Sequence, residues 1–220
     1  MPIRFGTDGW RAIVDEDFTY SNVRLCAQGT ADYLTEHGLA SKGLVIGYDT
    51  RFASEDFAAA VAEVTTANGV TTYLCDRPAP TPAIAYNVVA VEAGGGAIIT
   101  ASHNPAEWNG FKYKPSYGGS ASPEIVEQLE RHIREAADKT VGKLSLDDAQ
   151  AKGLLQYLDP GPSYLGHVAT LVDLADIREA GLNVVVDSMF GAGGGYLAAL
   201  VSGGATTLEE IHGHPNPAFP

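Results

Sequence analysis

Apolar positions recur along this chain in two alternating rhythms. Between residues 20 and 37, Val23, Cys26, Ala27, Thr30, Tyr33 and Leu34 fall on one helical face. Ser21 or Asn22 suits the start of that helix, and Gly38 suits its left-handed end. Residues 43–49 (GLVIGYD) then form a short apolar run ended by a turn, the pattern of a buried parallel strand. The alternation continues with a helix over 54–68, a strand over 70–75 and a helix over about 82–90. A strand over 96–100 follows, and Ser122-Pro123-Glu124 opens a helix reaching about 137. Further on, the same rhythm predicts helix 163–180, strand 182–187, helix 193–202 and strand 205–211.

Strands and helices alternating at these lengths predict an α/β fold, a mixed, mostly parallel sheet with helices on both faces. Residues 139–162 contain the turn-rich LDPGPS and mark a boundary. The expectation is one α/β/α unit over 1–145 and the start of a second α/β unit over 146–220. With two predicted strands, that second unit would leave a sheet edge unpaired and bury little surface, so it is expected to be incomplete.

Composition narrows the function classes. The chain has 220 residues, 45% of them hydrophobic, which suits a globular protein with a real core. A formal net charge of −13 argues against nucleic acid or an anionic membrane surface as partner. No apolar stretch approaches the roughly 18 residues of a membrane span, and no basic-then-apolar leader opens the chain. A cytoplasmic protein is expected, with Cys26 and Cys75 as packed, reduced thiols. The cations are unevenly placed. Arg4, Arg11, Arg51, Lys112 and Lys114 lie in or beside Gly/Asp/Ser-rich motifs, and none follows Arg178. Such a distribution allows an anion site.

Four stretches hold candidate chemistry, and each has an ordinary structural reading. Thr100-Ala101-Ser102-His103-Asn104-Pro105 lacks the Gly-x-Ser-x-Gly frame of a nucleophile elbow and could simply be the turn closing a strand. The glycines at 191–195 lack the third glycine of a dinucleotide fingerprint, since position 196 is Tyr196; a tight strand-to-helix turn fits better. His212 and His214 have no third ligand type beside them and read as a solvated loop. RFGTDGWRAIV, residues 4–14, places Thr7, Asp8 and Arg11 around two glycines, which suits either a phosphate-gripping loop or a plain turn.

Together these stretches resemble the α-D-phosphohexomutase family, which includes phosphoglucomutase and phosphomannomutase. The resemblance is carried by Phe5–Arg11, Gly47-Tyr48-Asp49-Thr50-Arg51, Ala79-Pro80-Thr81-Pro82, Thr100–Pro105 with Asn109-Gly110-Phe111-Lys112, and Val184–Gly193. It implies an isomerase that interconverts hexose 1-phosphate and 6-phosphate by intramolecular phosphoryl transfer. Ser102 would carry the phosphoryl group through a hexose 1,6-bisphosphate intermediate, which also serves as activator. A phosphoserine brings about −1.5 to −2 charges, so cations and a Mg²⁺ ion on its phosphate are implied at Ser102. Lys112 would exchange a proton with the sugar hydroxyl, with Arg11 as the like charge beside it. Thr7, Arg11, His103, Asn104 and Lys112 are implied contacts to the hexose phosphate, while Arg51 and Asn109 would support the loop.

Three family features are missing from these residues: an Asp-Gly-Asp-x-Asp-Arg metal loop, a sugar-selecting Gly-Glu-x-Ser-Gly-His loop, and a final phosphate-gripping loop. Ala12 also replaces a common Gly. The chain thus resembles the N-terminal portion of such an enzyme, expected to be inactive alone. A non-catalytic α/β interaction or regulatory module keeping the same fold is the alternative.

Overall fold

The computed structural model of the protein describes residues 3–6 and 8–220. Its main sheet holds six strands: β1 (Trp10–Ile13), β2 (Leu44–Tyr48), β3 (Thr72–Cys75), β4 (Gly95–Ile99), β5 (Trp108–Pro115) and β6 (Leu155–Leu158). Their spatial order is β1-β5-β4-β2-β3-β6. β4, β2, β3 and β6 run parallel, whereas β5 is antiparallel to both β4 and β1. The sheet is therefore mixed and mostly parallel, as expected.

Helices cover both faces. Phe111 and Tyr113 of β5 lie on the face covered by α1 (Tyr20–Glu36), where the Tyr33 and Tyr113 rings are 5.6 Å apart. α2 (Ser54–Ala67) and α4 (Pro123–Ala136) pack beside α1. The other face carries α3 (Thr81–Ala90), whose Ile84 and Val88 fill the space left by Gly47 and Gly96. Arg11, Lys112 and Lys114 belong to that α3 face by register, through the pairs Arg11↔Gly110, Ile98↔Lys112 and Gly96↔Lys114. Phe18, Phe57, Phe111, Leu34 and Ile46 are fully buried at the centre. Cys26 and Cys75 are free and buried, and burial pushes both thiols up, Cys75 to about 12.

Several expectations shift. Thr19, not Ser21 or Asn22, caps α1 by accepting from the Asn22 amide. The predicted 139–162 linker contains α5 (Leu146–Ala151), capped by Ser145, and then β6. Because β6 pairs with β3, the first sheet runs past the boundary expected at 145. The single helix predicted for 163–180 is two, α6 (Gly161–Leu171) and α7 (Leu174–Glu179). Val172 is extended there, and Asp173 accepts from the Ala175 and Asp176 amides, which restarts the helix. Beyond lie β7 (Asn183–Asp187), α8 (Tyr196–Val201) and β8 (Thr207–Ile211), with β7 and β8 forming a separate parallel pair.

Candidate active site

Parallel neighbours β2 and β4 end side by side, with Tyr48 opposite Ile99, so the residues after them meet at one edge of the sheet. In α/β folds this carboxyl edge is where ligands bind. Thr100 Oγ1 donates to Asp49 Oδ2 at 2.5 Å and accepts from the Ser102 amide at 2.9 Å. Asp49 Oδ1 accepts from the Arg51 amide and from Ser54 Oγ, at 3.0 and 2.9 Å. Ser54 thus spends its hydroxyl on Asp49, and α2 starts without a side-chain cap.

Arg51 holds the serine loop through its backbone. Its guanidinium donates to the carbonyls of Ser102 (2.9 Å), Asn104 (2.6 Å), Pro105 (2.8 Å) and Trp108 (3.0 Å). Arg51 Nε lies 3.3 Å from Asp49 Oδ2 as an ion pair. The side chain is buried, and burial pulls its pKa down from the usual arginine value against the upward pull of Asp49. The flat five-donor fork of arginine suits this job, since one lysine ammonium could not span four carbonyls. The Phe219 ring lies 5.3 Å from the guanidinium carbon. Asn109, buried on β5, donates to Ser54 Oγ at 2.9 Å and accepts from the Gly110 amide at 2.8 Å.

Ser102 is exposed and sits at φ +60°, a left-handed conformation that costs a non-glycine residue energy. Its Oγ is 3.3 Å from His103 Nδ1. Both residues line a cleft of about 320 Å³ whose near wall includes Asp49, Thr50 and Ala79–Thr81. Gly191, Ala192, Gly193 and Phe219 form the far wall. Thr50 Oγ1 donates to the Phe190 carbonyl at 3.1 Å, tying the two walls together.

The cations arrive from β1 and β5. Arg11 Nη1 donates to Asn104 Oδ1 at 2.9 Å, joining β1 to the serine loop. Lys112 does not lean on Arg11 but on Asp8, with Nζ 2.7 Å from Asp8 Oδ2, while Lys114 Nζ takes Oδ1 at 2.8 Å. Burial works to raise the Asp8 carboxyl, but bonds to Lys112 and Lys114 hold its pKa below the ordinary carboxylate value. Lys114 stood out only as one of the cations beside the motifs; its sharing of Asp8 with Lys112 was not readable in the sequence. The only available signal was the alternation Lys112, Lys114 along a strand that also looked like a loop motif. Thr7 lies outside the described residues.

A Mg²⁺ ion needs oxygen ligands from several side chains. Among the described residues no three His, Cys, Asp or Glu side chains converge, and Asp49 already spends both oxygens on Arg51, Ser54 and Thr100. The described residues do not fit a cation cage by themselves. His212 bonds Asp187 at 2.9 Å instead of gathering with His214 as ligands. No helix among the described residues is long and apolar enough to cross a membrane.

Residues 2–140 match the profile of phosphoglucomutase/phosphomannomutase, alpha/beta/alpha domain I. The chain belongs to the phosphoglucomutase/phosphomannomutase family. It is 32% identical to a phosphoglucomutase of Staphylococcus saprophyticus over 99% of this chain and 41% of that protein. A Komagataeibacter xylinus phosphoglucomutase is 28% identical over the same shares. Among solved structures, a putative phosphomannomutase of Thermus thermophilus superposes with a TM-score of 0.85 at 31% identity, covering 100% of this chain and 48% of that one. The chain therefore spans about half the length, or less, of the relatives it matches, and strands β1–β5 with the serine loop lie within the residues that match domain I.

Proposed function

We propose that this chain is the phosphoryl-carrying part of a phosphohexomutase, with Ser102 as the carrier. The observation that carries this is the Ser102 loop itself: an exposed, left-handed serine at the mouth of a cleft, its backbone clamped by a buried arginine. An ordinary turn serine needs no such clamp. Arg11, Asn104 and His103 are the proposed phosphate and sugar contacts at this edge, and Thr7 joins them by family resemblance. Arg51 and Asn109 act by holding the loop.

In the loading direction a P–O bond of a hexose 1,6-bisphosphate breaks and a new one forms to Ser102 Oγ. The Lys112 ammonium gives a proton to the departing sugar oxygen, and the Ser102 hydroxyl proton passes to His103, whose Nδ1 faces Oγ. Run backwards, phosphoserine gives its group to the other hydroxyl of a hexose monophosphate, and Lys112 takes that hydroxyl proton. What this chain offers to a Mg²⁺ ion is the phosphoryl oxygens on Ser102, and none of these proton steps runs through the metal. The domain arrangement proposed is a phosphoserine unit followed by the beginning of a second α/β unit.

Because the described residues form no cation cage and the chain spans under half of its curated relatives, it should load Ser102 without sustaining turnover. Assay with glucose 1-phosphate plus glucose 1,6-bisphosphate tests this. No steady production of glucose 6-phosphate is expected, and sustained Ser102-dependent turnover would contradict it.

A further inference from the structure

One carboxylate serves two buried lysines on β5. Lys112 and Lys114 are each 5% exposed, and Asp8 meets the first through Oδ2 and the second through Oδ1. Buried ammonium groups require a counter-charge, and here two share one. Asp8 is 104 residues from Lys112 in sequence, so the pairing is made by the fold. Gly9 makes it possible. It sits at φ +99°, and a Cβ there would lie 2.9 Å from Lys112 Cα and run into the Phe111 carbonyl. Only glycine lets the loop lie flat on β5 and bring Asp8 over both lysines.

We propose that Asp8 and Lys114 are positioning residues for Lys112, with Asp8 parking its ammonium and Lys114 keeping Asp8 paired when Lys112 leaves. The inference rests on the role given above to Lys112, which must reach a sugar oxygen to exchange a proton. A lysine held by a private carboxylate would strand that carboxylate each time it moved. With Lys114 on Oδ1, its departure strands nothing. The two ammoniums also repel each other across the shared carboxylate, which loosens both.

Pulse acylation of the folded chain with acetic anhydride, read peptide by peptide in the mass spectrometer, separates the two roles. In the unmutated protein Lys112 should label first. Once it is neutral, Lys114 holds Asp8 alone, so the second acylation should slow on the order of tenfold, as for a charge-assisted hydrogen bond strengthened. A doubly acylated peptide at or above the frequency expected for independent sites would overturn the proposal, as would Lys114 labelling first. Lys114→Met should slow Lys112 acylation by a similar factor, Lys114→Arg should leave it near the unmutated rate, and Asp8→Asn should raise it. A faster or unchanged Lys112 in folded Lys114→Met would equally overturn it. Acylation does not involve Ser102, so the result is independent of whether Ser102 takes a phosphoryl group.

Discussion

The Arg51 guanidinium donates to the Ser102 carbonyl at 2.9 Å, so a buried arginine fixes the backbone of the residue whose hydroxyl faces the cleft. Three further carbonyls of the same loop hang on that guanidinium, and Asp49 faces it as counter-ion. Arg51→Ala would leave these carbonyls and a carboxylate without their cation. A loss of about 3–5 kcal/mol in urea unfolding is expected, the cost of breaking a buried pair from one side. Arg51→Lys should recover only part of it, because the fork geometry is lost.

Ser102 holds a positive φ that glycine adopts freely. Ser102→Gly should therefore raise stability by about 1 kcal/mol while abolishing phosphoryl loading. An increased urea midpoint with no loading is the expected signature. A destabilised variant would show that the serine side chain, and not the strained backbone, dominates locally.

Gly110 sits between β1 and β4. A Cβ there would come 2.5 Å from the Thr100 carbonyl and 2.8 Å from that of Trp10. Gly110→Ala must push apart strands on both sides, at an expected cost of about 1–3 kcal/mol. Thermal unfolding measures it, and the serine loop, tied to Gly110 through the Thr100 amide at 2.9 Å, should exchange its amide protons faster.

Lys112 and Lys114 hold the Asp8 pKa below its ordinary value of 3.8, so its ion pairs stabilise the fold fully above that value. This contribution should fade as pH falls from 3.8 through the lowered folded-state value. Comparing unfolding of the unmutated chain and Asp8→Asn across acid pH checks it. The difference between them should be greatest at neutral pH and shrink toward zero in strong acid.

Much of the parallel half of the sheet was legible because its strands are buried on both faces and read as apolar runs. Leu44–Tyr48 and Gly95–Ile99 are examples, each ending in turn residues that became the site. The serine loop and Arg51 as its support were legible through family resemblance, and the cation-bearing motifs already through the uneven charge distribution. β1 and β5 were not legible as strands. One face of the pair carries half-buried Arg11 with buried Lys112 and Lys114, and a polar strand face looks like a loop until its distant counter-charge, Asp8, is known. The break between α6 and α7 is hidden for a different reason: apolar periodicity continues through Val172, while two capping bonds accepted by Asp173 decide the geometry. β6, with Gln156 and Tyr157 exposed at a sheet edge, has too little apolar alternation to stand out.

The phosphoryl-carrier role of Ser102 is tested most directly by locating the phosphoryl group. The purified chain would be incubated with glucose 1,6-bisphosphate and Mg²⁺, digested, and sequenced by tandem mass spectrometry. The expected result is one phosphoryl group on Ser102 in the unmutated chain and none in Ser102→Ala. A peptide 97–113 that stays unmodified, or a phosphoryl group on any other residue, would contradict the account.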